Sequence, residues 1–135
     1  MIGLNVTTQV CTSEERLKTM ENLGNKVGEE LAKILRFGVA LYRDEGFPGR
    51  CIHDACIVAA LLRPELFHFT PMRVSINHSN VLRYGESLVS PLNEDDQEDK
   101  SEDKDPLSLA SVVEVADSVK ADDVFDLILE LLKAY

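Results

Sequence analysis

The sequence predicts an α/β fold, an open and mainly parallel sheet flanked by helices. Three observations predict it. Segments with the period-2 alternation of a half-buried strand are interspersed with segments carrying an apolar stripe near the 3.6-residue helical period. Turn-forming residues separate the two kinds. The 135 residues are 44% hydrophobic, enough for one domain with a core.

In chain order, Ile2, Leu4 and Val6 alternate with Gly3 and Asn5 and run into Thr7-Thr8, which predicts a short strand from the first residue. A strand that opens a chain so abruptly points to truncation of something longer, with an unpaired and aggregation-prone edge. Thr12 or Ser13 caps a helix whose first turn holds Glu14 and Glu15. A longer helix is expected from about Val27 to Tyr42, with Leu31, Ile34, Leu35, Val39 and Leu41 as its apolar stripe. Gly46-Phe47-Pro48-Gly49 breaks it. From Asp54 to Leu62 the chain is apolar almost all round, which predicts a buried helix closed by Pro64. Met72–Asn77 alternates like a strand with one wet face, Ser87-Leu88-Val89 reads as its partner, and Val112–Val115 is a further strand. Lys120–Asp123 introduces a last helix, Val124 to Ala134, with Phe125, Ile128, Leu129 and Leu132 on one face.

The net charge is −10, and residues 94–105, EDDQEDKSEDKD, carry −6 of it. That run has nothing apolar to bury and is expected to be a solvated, disordered insertion within about 92–110. With no basic stripe to neutralise phosphates, nucleic acid is excluded as a partner. No apolar run reaches the roughly 20 residues that span a bilayer, and no signal peptide opens the chain, so no membrane partner is expected. Cys11, Cys51 and Cys56 are an odd set, expected as reduced thiols in a cytoplasmic protein.

One tetrapeptide carries chemistry: Ile52-His53-Asp54-Ala55, between the Pro-Gly loop and the apolar helix. It sets an imidazole and a carboxylate at a helix N-terminus, where the dipole favours an ionised Asp54 and disfavours a protonated His53. An acid role for His53 therefore needs another group to hold its proton. The plainer alternative is that Asp54 simply caps the helix. Cys51, His53, Asp54 and Cys56 lie within six residues, but zinc sites draw on a second ligand pair, which the sequence does not offer.

A longer pattern surrounds this tetrapeptide. Gly3-Leu4-Asn5-Val6-Thr7 with Gln9, then Pro48 to Cys56, then Leu62-Arg63-Pro64-Glu65-Leu66-Phe67, and later Arg83 to Val89, Val113 to Asp117 and Val124 to Ile128, resemble in order and spacing the C-terminal portion of the inosine-uridine preferring nucleoside hydrolase family. Only residues 90–110 lack a counterpart.

That resemblance implies a hydrolase that cleaves the N-glycosidic bond of purine or pyrimidine ribonucleosides to base and ribose. It implies calcium, which holds the nucleophilic water and the ribose hydroxyls and lowers the water's pKa. By the match, Asp54 is a calcium ligand and His53 is the catalytic group that protonates the leaving base. Tyr42 belongs to the lip over the base and contacts substrate. The full-length parent is allowed to be a homo-oligomer. Three departures stand out: the family's aspartate in the first segment is Asn5, the proline after His-Asp is Ala55, and Asp44 and Glu45 stand where aromatic residues are usual. The family's aspartate-rich D-x-D-x-x-x-D-D loop has no counterpart in the sequence, and the acidic run, without a glycine or spaced ligands, does not replace it. The chain is therefore expected to be inactive by itself, with a non-catalytic binding or assembly module as the alternative.

Overall fold

The computed structural model describes residues 1–44, 46–78, 80–92 and 111–135. The acidic run 94–105 lies outside them. The elements are α1 (Leu4–Thr7), α2 (Glu14–Glu21), α3 (Lys26–Phe37), α4 (Val39–Asp44), α5 (His53–Leu62), β1 (Phe67–Ile76), β2 (Ser87–Pro91), β3 (Ser111–Val119) and α6 (Ala121–Leu132). They form two compact units, one of Met1 with 69–115 and one of 2–68 with 116–135.

The first unit is built on strands. Their order in the sheet is β2-β1-β3. The expected partners do pair, with Val74 opposite Val89 and Ile76 opposite Ser87. The α/β class stands, but this pair is antiparallel rather than parallel. The connection from Asn77 to Glu86 is shorter than the dozen or so residues that a parallel crossover needs. Gly85 adopts φ 83° and returns the chain, its amide donating to the Asn77 carbonyl at 2.7 Å.

The second unit is helical, and its core gathers Leu17, Met20, Ala32, Leu35, Val39 and Phe125. Ser13 caps α2 as expected, its hydroxyl accepting from the Arg16 amide at 3.2 Å. Asn25 caps α3, its side-chain oxygen accepting from the Gly28 amide at 2.8 Å, while its amide nitrogen donates to the Leu132 carbonyl at the end of α6 at 3.0 Å. Gly28 lets α2 and α3 approach, because a Cβ there would lie 2.5 Å from the Met20 carbonyl oxygen. Arg36 ties the same two helices by pairing with Glu21 and, at 3.2 Å, with Glu14. On α6 the expected face packs inward: Phe125 in the core, with Ile128, Leu129 and Leu132 against it.

Four expectations are corrected. The opening segment is not a strand: the Val6 and Thr7 amides both donate to the Gly3 carbonyl, closing a helical turn that buries Val6 and Thr7 and leaves Leu4 in solvent. Three alternating apolar residues are too few to separate the two periods. The helix expected from Val27 to Tyr42 is two, divided at Gly38. Helix α5 is buried only along Cys56 and Ala59, with Ile57, Val58, Leu61 and Leu62 exposed. Finally, Cys11 and Cys51 are joined as a disulfide rather than held as free thiols, since an antiparallel bridge sets them opposite each other. Cys56 remains free and buried, and burial pushes its thiol up from the ordinary value. No described helix is long and apolar enough to cross a membrane.

Candidate functional site

Two distant segments meet through a short backbone ladder. The Ile52 amide donates to the Val10 carbonyl at 2.9 Å, and the Thr12 amide donates to the Arg50 carbonyl at 2.8 Å. The Thr12 hydroxyl donates to that same Arg50 oxygen at 2.9 Å. Residue 49 must be glycine for this approach, because a Cβ there would fall 1.6 Å from the Thr12 carbonyl oxygen. The Cys11–Cys51 bond crosses the same ladder. Its effect is local: the chain leaves residue 52 and starts α5 directly beside the buried turn of α1.

His53, the first residue of α5, thus arrives next to Thr7. Its Nδ1 lies 2.8 Å from the Thr7 hydroxyl. Its Nε2 lies 3.2 Å from the hydroxyl of Tyr42, which α4 brings in from another direction. The Tyr42 ring leans towards His53 with centroids 6.2 Å apart and is backed by Phe47 at 6.0 Å. Both ring nitrogens are therefore engaged by hydroxyls. A neutral imidazole offers one donor and one acceptor, and a hydroxyl can meet either, so the trio fixes the ring's orientation. His53 itself is half-buried.

Asp54 follows in the first turn of α5 and is exposed. It is not the helix cap: that position is Ile52, which makes no side-chain capping bond. The carboxylate is thus left in solvent at the positive end of the helix. Among the described residues there is no group of three or more His, Cys, Asp or Glu able to hold a metal ion. Calcium takes six to eight oxygens and Asp54 supplies at most two, so these residues do not by themselves fit calcium.

The structure brings the sequence-predicted His53 and Tyr42 into contact, with Asp54 next to His53 in the first turn of α5. Thr7 escaped the sequence reading as a site residue, although it closes the quoted Gly3–Thr7 segment. A cavity of about 560 Å³ lies elsewhere in this unit, between Gln9, Ser13, Arg16, Asp122 and Phe125. Arg16 there is already committed: it donates to the Cys11 carbonyl at 2.6 Å, pairs with Asp122 and sits 4.6 Å over the Phe125 ring. That cavity is where α2 meets α6, and none of the three predicted residues lines it.

The chain is similar to known proteins over most of its length. A pyrimidine-specific ribonucleoside hydrolase of Shewanella baltica is 34% identical over 91 residues, covering 66% of this chain and 29% of that protein. One of Klebsiella pneumoniae is 38% identical over the same length. The chain therefore spans less than a third of the length of the curated relatives it matches. Among solved structures, a plant nucleoside hydrolase superposes with TM-score 0.78 at 24% identity, covering 98% of this chain and 40% of the plant protein. A purine-preferring ribonucleoside hydrolase from Gardnerella vaginalis superposes with TM-score 0.73 at 22% identity, covering 100% and 40%. The model of the inosine-uridine preferring nucleoside hydrolases matches residues 1–126, and the chain belongs to that family.

Proposed function

We propose that this chain carries the leaving-group wall of a ribonucleoside hydrolase and one carboxylate of its cation site. The reaction breaks the C1′–N bond of a ribonucleoside and joins the oxygen of water to C1′ as a hydroxyl, the water's other proton replacing the one that His53 gives up. The bonding pair leaves with the base, and His53 supplies the proton that neutralises it. The observation that carries this is the hydrogen bonding of His53 to Thr7 at one nitrogen and Tyr42 at the other. In this proposal the Thr7 hydroxyl donates to Nδ1 and the transferred proton is the one on Nε2, the nitrogen beside Tyr42. Tyr42 and Phe47 form the aromatic rim against which a flat base would lie. Relatives are described as pyrimidine-specific and as purine-preferring, so the proposed substrates are ribonucleosides of either kind.

Asp54 is proposed as one ligand of a calcium site whose other oxygens come from outside the described residues. On its own the chain is expected to release little or no free ribose from inosine or uridine in the presence of calcium, read by a reducing-sugar assay. Turnover near that of a full-length family member would overturn this.

The second reading, a binding or assembly module without catalysis, is favoured by the lack, among the described residues, of any group of three metal-ligating side chains around the exposed Asp54. Calorimetry with calcium and inosine, with and without His53→Ala, separates the two. A nucleoside site gives heat that the substitution alters, and a pure assembly module gives none.

A further inference from the structure

The Cys11–Cys51 bond crosses a ladder that is only one bridge long. The Ile52 amide bonds to Val10 and the Thr12 amide to Arg50, so the cysteines between them form the close, non-hydrogen-bonded pair of an antiparallel bridge. The two sides of this bridge are held unequally. Val10 and Thr12 are fully buried, whereas Arg50, Ile52 and His53 are only partly buried. The looser side carries the site. His53 stands just beyond Cys51, and the Arg50 side chain lies across Gly38, where a Cβ would fall 2.6 Å from Arg50 Cδ. Gly38 leads into α4, and its carbonyl accepts from the Tyr42 amide at 3.3 Å. The sulfurs of Cys11 and Cys51 themselves lie 3.0 and 3.6 Å from the carbonyl oxygen of Thr8, the neighbour of Thr7. His53, Tyr42 and Thr7 are thus all tied to the surroundings of this one bond. Both cysteines are buried, but Cys11 lines the cavity of about 560 Å³ beside α2, which gives a small reductant its path.

We propose that the Cys11–Cys51 pair is a thiol–disulfide switch that fixes or frees His53. The reductant is a dithiol. One of its thiolates attacks the Cys11 sulfur, the S–S bond breaks, and Cys51 leaves with the bonding pair and takes up a proton. The second thiol of the reductant then displaces Cys11 from the mixed disulfide, so the protein gains two thiols and the reductant ends as a disulfide. A small disulfide reverses the exchange. The bond joins positions 40 residues apart. Without it the two segments are held by the two amide bonds and the Thr12 hydroxyl, and so short a ladder is not rigid by itself. The reduced form is accommodated, because each new S–H faces the Thr8 carbonyl as an acceptor. The helical core survives, since neither cysteine belongs to the cluster around Leu17, Met20 and Phe125. Buried Val10 and Thr12 keep Cys11 in place, so the thiols stay within reach of each other. What changes is the freedom of residues 50–53, and with it the grip of Thr7 and Tyr42 on the imidazole. Cys56 takes no part: it is buried on α5, its thiol donating to the Ile52 carbonyl at 3.2 Å. The bearing on catalysis rests on the proposed role of His53, but the switch is read from the ring itself.

The test treats the full 135-residue chain with dithiothreitol and then with oxidised glutathione. Thiols counted after denaturation should rise from one, Cys56, to three on reduction and return to one afterwards. The ¹⁵N signals of the His53 ring should shift and broaden in the reduced chain and recover on reoxidation, while the methyl signals of Met20 and Ala32 keep their folded positions. The melting temperature should fall by about 10 °C with the cross-link gone. Cys11→Ser/Cys51→Ser should show the reduced spectrum with or without dithiothreitol, and Cys56→Ser should switch as the wild type does. A bond with a purely structural role lowers the melting temperature and leaves the His53 signals of the folded chain unmoved, and that result overturns the inference. It is equally overturned by a pair that excess dithiothreitol does not open, by loss of the core methyl signals in the reduced chain or the double serine variant, or by a Cys56→Ser chain that no longer responds. If His53→Ala leaves the nucleoside heat unaltered, the catalytic proposal fails while the switch stands.

Discussion

Thr7 joins buried structure to chemistry through one oxygen. It is 4% exposed, and its hydroxyl lies 2.8 Å from His53 Nδ1. Thr7→Val keeps the shape of the side chain and removes the hydrogen bond. It should cost about 1 kcal/mol in urea unfolding and release the imidazole to either tautomer. The ¹⁵N shifts of the His53 ring in the chain alone are expected to move in Thr7→Val, and Thr7→Ser should restore them. Shifts unchanged in Thr7→Val would show that Thr7 does not set the tautomer. The pair His53 and Asp54 was legible in the sequence because the tetrapeptide stands out locally. Thr7 was not, because its partner is 46 residues away and only the fold brings them together. The Asp54 capping alternative fell because the helix starts at His53, two residues before its apolar run at Ala55, which moves Asp54 from the cap into the first turn.

At the scale of elements, the site depends on how closely two backbone segments run. Gly49→Ala would drive a methyl group into the Thr12 carbonyl, a backbone atom that cannot step aside. The substitution should destabilise the chain by about 1–3 kcal/mol and part the ladder, seen as loss of the His53–Thr7 contact by NMR. A second consequence concerns acid. The Arg36 guanidinium, hydrogen-bonded to Glu21, holds that carboxyl below its ordinary value of 4.5. A depressed carboxylate contributes stability that is complete above the ordinary value and fades as pH falls through the lowered one. Melting temperature should therefore decline from about pH 4.5 downwards, and Glu21→Gln should show a shallower decline. An identical acid slope in the variant would exclude the pair as a source. The cap of α2 was readable because Ser13 precedes two acids, and the stripe of α6 because burial repeats with the helical period over several turns. The opening turn was not, being a single turn. Nor was the division of α3 from α4, since an apolar stripe can run on through one glycine.

At the scale of the molecule, the α/β class and the family follow from the order of segments along the chain, which survives even where a local assignment fails. Gly3–Thr7 changes from strand to helix without losing its match. What the sequence concealed was which apolar surface is interior. The uniform apolarity of α5 reads as full burial, yet the described residues cover only one side of it. Composition records what a surface is suited to meet, and coordinates record what it meets within this chain.

The side chain of Asn25 serves two helices at once, closing the start of α3 with its oxygen and the finish of α6 with its nitrogen. Neither terminus can fray alone, because swinging the amide away uncovers a donor on one and an acceptor on the other. A disturbance in the last turn of α6 is thereby felt more than a hundred residues earlier along the chain, and loosening at the beginning of α3 returns to the tail by the same route.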